Sequence, residues 1–269
     1  MSRAAAIVVA ALALVGAAPA AARAQSAESD ADLAKKLSNP VAALISVPLQ
    51  FNYDGQIGPI NQGDRFTLNV QPVIPFSLNA DWNLISRTIV PIISQSAIFP
   101  GSGSQFGAGD TTQSFFVSPT AGGIVWGVGP VFLLPTGSQA LLSAHQWGAG
   151  PTAVVLKQTG PWTVGFLANQ IWSFASTSSN AGYVSSTYFQ PFVSYTTADQ
   201  WTFSLNTESS YNWSARQITV PLNAVVSKLV KVGGQPISLG LGVRYYAASP
   251  ANGPKGFGAR AVVTFLFPK

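Results

Sequence analysis

Between Arg65 and Asn79 the side chains alternate in character: Phe66, Leu68, Val70, Pro72, Ile74, Phe76 and Leu78 fall at one parity, and Arg65, Thr67, Asn69, Gln71, Ser77 and Asn79 at the other. Successive side chains of a strand point to opposite faces, so this period of two reads as one extended segment with an apolar and a polar side. Its length is the constraint. Strands of water-soluble domains usually run about five or six residues, whereas a tilted strand crossing the hydrocarbon of a bilayer needs about nine to eleven.

The segment Trp201 to Trp213 repeats the pattern, with Trp201, Phe203, Leu205, Tyr211 and Trp213 against Thr202, Ser204, Asn206, Glu208, Ser210 and Asn212. Its aromatic residues stand at both ends. Amphipathic rings favour the headgroup level, so Trp201 and Phe203 at one end, Tyr211 and Trp213 at the other, and Trp162 at the start of another segment are the expected interface aromatics. Gln217 to Ser227, Ile237 to Tyr246 and Ala259 to Phe267 also alternate cleanly. Trp162 to Phe174, Tyr183 to Tyr195, Ile124 to Leu134 and Trp147 to Leu156 alternate with slips, and Trp82 to Ile92 and Thr111 to Pro119 are ambiguous. With a first strand near Leu44 to Tyr53, the count comes to about twelve.

Connections alternate in kind. Compact turns at Asn79-Ala80-Asp81, Thr120 to Gly123, Thr159-Gly160-Pro161, Thr197 to Gln200 and Val232 to Gln235 interleave with longer stretches at Asp54–Asp64, Ile93–Gly109, Pro135–Gln146, Ser173–Gly182 and Ser249–Lys255. Short turns on one side and longer loops on the other is the asymmetry of outer-membrane barrels, and it puts both termini on the periplasmic side. A secreted β-sandwich also alternates, because one face of each sheet packs inside. Strand length, terminal aromatics and loop asymmetry favour the barrel.

Composition supports that choice. Charged residues make up 9% of the 269-residue chain, against roughly 25% in ordinary soluble domains. No apolar run is long enough for a membrane helix, so spanning would require a closed barrel. There are no cysteines, which excludes disulfides and thiolate metal sites. At the N-terminus, Arg3, the apolar run Ala4 to Ala18 and Ala22-Arg23-Ala24 read as a secretory signal peptide over 1–24. Ser26 to Ser38 is the one polar helical candidate, with Ser29 or Asp30 as cap and Asn39-Pro40 as stop. Residues 25–40 read as a periplasmic tether or short helix of marginal stability, the alternative being a small plug or lever. Residues 41–269 would form the barrel. Removal of the signal leaves 12 of the 14 Lys and Arg against 9 acids, a surplus of three with no basic cluster, so nucleic acid is not an expected partner.

Eight prolines, Pro48, Pro72, Pro75, Pro91, Pro130, Pro151, Pro191 and Pro221, fall within expected strands. Proline cannot donate to a ladder, so each requires a bulge or a break, and the sequence does not choose between them.

The run Gln71-Pro72-Val73-Ile74-Pro75-Phe76-Ser77-Leu78, followed by Asp81-Trp82-Asn83-Leu84-Ile85-Ser86-Arg87-Thr88-Ile89-Val90-Pro91, resembles a family of bacterial outer-membrane transporters, some members of which carry the label neuromedin U. The resemblance extends through Leu33-Ala34-Lys35-Lys36, Asn39-Pro40-Val41-Ala42, Phe106 to Asp110, Trp126 to Pro130 and Phe265-Leu266-Phe267-Pro268-Lys269. A more distant similarity is to barrels ascribed to phenol degradation, which implies uptake of small organic compounds. Many outer-membrane barrels end on an aromatic residue that the assembly machinery reads; here Phe267 is followed by Pro268 and Lys269.

Polar parity assigns Arg65, Arg87, Glu208, Arg244 and Arg260 to the lumen, with Asn69, Gln71 and Asn206. Charges in a confined lumen set selectivity, so these residues point to a pore for small anionic or aromatic solutes. The competing reading is that Glu208 pairs with an arginine across the barrel and the rest satisfy polar walls. Gly127, Gly129, Gly148, Gly150, Gly165, Gly240 and Gly242 share the inward parity and either leave a channel or allow tight strand bending.

The one histidine, His145, lies in Ser143-Ala144-His145-Gln146-Trp147. It does not match the His-x-Ser-Asn-Gly pattern of outer-membrane phospholipases, and no orienting acid is near it in sequence. No ligand cluster for a metal is present, and Phe106 to Asp110 lacks the Gly-Lys-Ser/Thr of a phosphate loop. The expectation is an all-β, antiparallel up-and-down transmembrane barrel, monomeric, outer-membrane and non-enzymatic, with no cofactor. Its partners would be outer-membrane lipid, a small solute and the barrel-assembly machinery. A non-conducting structural or surface-display barrel is the alternative function, and a lipid hydrolase the third.

Overall fold

The computed structural model describes residues 29–268, so the expected signal peptide lies outside the described residues. A short helix, α1 (Asp30–Lys36), precedes fifteen strand segments: β1 (Ile45–Ile57), β2 (Gly63–Val70), β3 (Val73–Ser77), β4 (Trp82–Ser96), β5 (Ser104–Ala108), β6 (Thr111–Pro119), β7 (Val125–Leu134), β8 (Gln146–Thr159), β9 (Trp162–Ser176), β10 (Ser185–Thr196), β11 (Trp201–Thr207), β12 (Ser209–Asn212), β13 (Gln217–Val232), β14 (Gln235–Ala248) and β15 (Gly256–Phe267). Each pairs antiparallel with its neighbours, and β15 returns to β1 from Ile45↔Phe267 to Tyr53↔Ala259, which closes the sheet. β2 with β3, β5 with β6, and β11 with β12 are each one stave in two pieces, so the barrel has twelve staves. Closure removes every free edge, the condition for a sheet to cross a bilayer.

The prolines account for most of the interruptions. Gln71 lies opposite Pro48 and before Pro72, and the ladder skips from Val70 to Val73 without changing register against β4. Glu208, between β11 and β12, lies opposite Pro221, with Pro191 opposite Thr207, so both flanking strands lack a donor there. Pro221 also marks a bulge against β14. Pro130 and Pro151 face each other across β7 and β8, and their outer neighbours, β6 and β9, lose pairing at the same level. The third split has another cause: between β5 and β6 the register against β4 slips by one residue at Gly109-Asp110, a bulge. The question of bulges or breaks therefore has both answers.

The two faces of the wall are inverted relative to a soluble protein. Leu241, Phe257, Leu205 and Val243 are exposed on the outside, whereas Asn52, Gln95, Asn223, Thr163 and Arg260 are buried within. An exposed apolar surface of this extent needs a lipid or protein partner, which disposes of the β-sandwich. Aromatic pairs collect at both rims: Trp82–Trp126 and Trp162–Tyr195 at the end with the short turns, Tyr211–Trp213 and Tyr245–Phe257 at the other. Of the expected interface aromatics, Trp162, Trp201, Phe203 and Trp213 are exposed on the outer wall, and Tyr211 is half-buried beside Trp213.

Turns at 78–81, 120–124, 160–161, 197–200 and 233–234 occupy the end that also holds the start of β1 and the end of β15, here the turn end. Connections 58–62, 97–103, 135–145, 177–184, 213–216 and 249–255 form the loop end. The expected loop Ile93–Gly109 is shorter than anticipated, because β4 runs on to Ser96 and pairs with β5 from Ile92↔Ala108 to Ser96↔Ser104. Ser94 to Ser96, Ser104 and Gln105 make the outer part of this pairing polar.

Residues 29–44 are not a loose tether. Ser29 caps α1 by accepting from the Asp32 amide, Asp30 and Asp32 fill the first turn, and Lys35 and Lys36 the last. Leu33 and Ala34 are buried with Ala42 and Leu44 against Leu229 of β13 and Leu266 of β15. Asp30 pairs with Lys231 at 2.6 Å, and on another side of the mouth Gln158 of β8 donates to the Lys35 carbonyl at 3.1 Å. A seven-residue helix has little stability alone; packing on the inner wall supplies it.

Candidate functional site: the lumen

Three layers follow one another from the turn end. The first is the N-terminal segment with an apolar cluster of Val41, Val73, Ile85, Phe116, Val154, Leu156 and Leu167, against which Val125, Tyr188 and Phe192 pack. Ile85 and Phe116 are fully buried. Here the inward parity is apolar, contrary to the rule of apolar outside and polar inside. β4, β6, β8 and β9, in which the sequence alternates imperfectly or ambiguously, supply most of this cluster, and β7 and β10 pack residues against it.

Of the inward glycines, Gly165 and Gly127 pack on this cluster, and none of the seven lines open space. A Cβ on Gly165 would strike the Phe192 ring and Leu156, one on Gly129 the Phe115 carbonyl, and one on Gly150 the Gln170 carbonyl. On Gly127 it would press on Phe116, on Gly148 on Ile171, on Gly240 on Ser227 and on Gly242 on Val225. Of the two uses open to these residues, close approach of strands is the one realised.

The second layer is a cavity of about 270 Å³. Leu37, Ala42 and Leu44 of the N-terminal segment and Leu229 form an apolar patch of its floor, with Lys36, Ser46, Ser227, Ser238 and Thr264 around it, and Gln71, Arg87, Gln190, Asn206, Glu208 and Arg260 form its roof.

The third layer is ionic. Arg260 donates to both Glu208 oxygens, Nη1 at 2.9 Å and Nη2 at 2.6 Å, and its Nε donates to Asn52 Oδ1 at 2.8 Å. Glu208 comes from the ninth stave and Arg260 from the twelfth, so this bidentate pair crosses the lumen. Arg244 is held more loosely, 3.8 Å from Glu208 Oε2 and 3.6 Å from Asp54 Oδ1, with its guanidinium 5.3 Å from the centre of the Tyr246 ring. Its Nε is buried without a partner. Tyr246 donates to Asp54 Oδ1 at 2.7 Å.

The other expected lumen residues share this face but stand apart. Arg65 donates to Gln95 Oε1 at 2.8 Å, and Arg87 to Gln71 Oε1 at 3.1 Å. Asn206 accepts from Asn223 at 2.9 Å, and Asn69 is paired with Gln50. Sequence reasoning missed Asp54, Asn52, Tyr246, Gln95 and Gln105. Asn52 and Asp54 alternate with Phe51 and Tyr53, and Tyr246 shares the parity of Arg244, so a signal existed for these three. Gln95 and Gln105 fell inside the stretch read as a loop.

Above the ionic layer, loop 135–145 folds back on the inner wall. Leu142 is buried, Gln95 Nε2 donates to Gln105 at 3.1 Å and to the Leu141 carbonyl at 3.4 Å, and Gln139 donates to the Phe106 carbonyl at 2.8 Å. Asp110 clasps the loop by accepting from Gly137 N, Ser143 Oγ and Ala144 N at 3.0, 2.8 and 2.6 Å. An acid is therefore close to Ser143, contrary to the expectation from sequence distance. It binds the hydroxyl directly, however, and His145 meets Ser143 through its backbone N–H at 2.9 Å. A nucleophile needs the imidazole between the two. Among the described residues no cluster could hold a metal ion.

No family model matches the sequence, and no curated protein matches it. The fold does have relatives. An outer membrane channel from Pseudomonas putida F1 is similar with a TM-score of 0.66 at 15% identity, over 84% of this chain and 96% of that one. Weaker likenesses are the KdgM porin in complex with disordered oligogalacturonate (TM-score 0.45, 12% identity, 83% and 99% covered) and the Salmonella typhi outer membrane phospholipase dimer with bound calcium (0.47, 13%, 90% and 99%). At these identities the likeness concerns the fold: the chain is an outer-membrane-type barrel.

Proposed function

We propose that this protein is an outer-membrane channel for small anionic solutes. The observation that carries this reading is the charge imbalance inside the wall: Arg65, Arg87, Arg244 and Arg260 face Asp54 and Glu208, a surplus of two positive charges in a confined space. Uncompensated charge out of bulk water is costly, so an entering anion is favoured over a cation. The similarity of fold to a Pseudomonas channel agrees with the reading, as does the resemblance to the transporter family, which adds uptake of small organic, including aromatic, compounds. Residues 1–24 would serve as the export signal and the barrel-assembly machinery as the insertion partner. The barrel would act as a monomer in outer-membrane lipid, with no covalent chemistry of its own.

The experiment is single-channel recording of the refolded protein in planar bilayers, with reversal potentials in a salt gradient. Stepwise conductance with anion preference that falls in an Arg244→Ala, Arg260→Ala variant supports the reading. A folded barrel that does not conduct favours the second reading, a structural barrel, for which the apolar packing at the turn end speaks.

A further inference from the structure

We propose that the cavity between the N-terminal segment and the Glu208–Arg260 pair is a binding site for a small monocarboxylate with an apolar tail, its carboxylate held by Arg87. The inference deepens the anion-channel reading and rests on it for access to the site.

Among the strand residues that line the cavity, Arg87 is the cation with no carboxylate bonded to it. Glu208 gives both oxygens to Arg260 and is shared by Arg244. Arg87 has no carboxylate within salt-bridge distance among the described residues, and its side chain has one neutral partner, Gln71. A guanidinium in such a place binds a carboxylate through charge-assisted hydrogen bonds. A second feature points to the same space. Ser194 lines the cavity, is 4% exposed, and its Oγ has no hydrogen-bond partner. Buried hydroxyls are seldom left unpaired, and a bound polar group or water would satisfy this one.

The gradient of polarity sets the shape of the ligand. Leu37, Ala42, Leu44 and Leu229 give the floor an apolar patch among the hydroxyls of Ser46, Ser227 and Ser238, and an alkyl chain lying on that patch gains by leaving water. The Arg87 guanidinium fits one carboxylate; a phosphate dianion would set its second charge against Glu208. The size, about 270 Å³, lies at the small end of ligand pockets. Because part of the floor is the N-terminal segment itself, an occupied cavity holds that segment against the wall.

Titration calorimetry of the refolded barrel in detergent with hexanoate tests the site, with acetate and hexan-1-ol as comparators lacking the tail or the charge. Saturable hexanoate binding is expected, with both comparators about tenfold or more weaker. Arg87→Gln should weaken hexanoate about tenfold or more, Arg87→Lys should recover part of the loss, and Lys228→Gln on the outer wall should leave it as it is. Heat-modifiable migration of each variant confirms that it is folded. Equal affinity in the wild type and in folded Arg87→Gln, or no saturable heat from hexanoate, overturns the site. Conductance recorded on the same preparation separates the two readings: anion-selective conductance without hexanoate binding removes the site and keeps the channel, and binding without conductance does the reverse.

Discussion

The two ends of the lumen are built on different physics. At the turn end the wall closes on itself with apolar side chains: Phe116, Ile85, Leu156 and Leu167 are buried, and glycines let the strands approach. Midway along, the same inward parity carries Glu208, Arg260, Arg244 and Asp54. The first arrangement is tolerant, because dispersion and apolar burial have no direction. The second is exacting, because each charge must meet a partner in one geometry or remain costly. The barrel is therefore packed by an apolar core at one end and tied by ions in its middle.

Breaking the ionic side should have the largest effect. Glu208→Ala leaves Arg260, 4% exposed, without its counter-ion and should cost about 3–5 kcal/mol of stability, read as a shift in the urea midpoint of heat-modifiable migration. Adding Arg260→Met should recover most of that loss. If Glu208→Ala alone is silent, the crossing pair does not tie the barrel. On the apolar side, Phe116→Ala should cost about 3 kcal/mol or somewhat more by the same assay and leave reversal potentials unaltered. A change in ion preference there would contradict the division between the two ends.

Releasing the N-terminal segment sharpens the comparison differently. Lys231→Ala with Gln158→Ala removes two polar ties, each worth under about 1 kcal/mol, so stability should barely move while open-channel conductance and its noise rise. Unchanged conductance would mean that the segment's other contacts, among them the burial of Leu33 and Ala34, hold it in place. The smallest effect belongs to His145→Ala, expected within about 0.5 kcal/mol of the wild type; any lipase activity that this substitution abolished would reinstate the hydrolase reading.

Sequence pattern reveals one of these ends far better than the other. The charged middle lies in segments of clean alternation, so Arg244, Arg260 and Glu208 were assignable to the lumen, and with them a cross-barrel pairing of Glu208. Which arginine Glu208 meets depends on registers accumulated across four staves, information that no single segment carries. The apolar end is hidden for the opposite reason: a strand buried on both faces loses its period, so the slips in β7 to β10 read as noise although they mark the inner core. The helix was underestimated because local propensity counts only its seven residues, whereas its stability comes from Leu229 and Leu266, far away in the chain. The prolines were legible as a problem and not as a solution, since the same residue produces a skipped pair at Pro72 and a bulge at Pro221.

The aromatic rims carry a consequence for where the barrel is at ease. Trp201 and Tyr211 mark opposite rims of one stave and are ten residues apart (211 − 201), about 33 Å along an extended chain and roughly 24 Å once tilted as such strands are. Hydrocarbon that thin belongs to the bacterial outer membrane more than to the average bilayer of about 30 Å. Refolding into vesicles of graded acyl-chain length should therefore be most efficient with short chains and fall as the lipid thickens. Thickness thus becomes a further address, read by the wall after any leader has been removed.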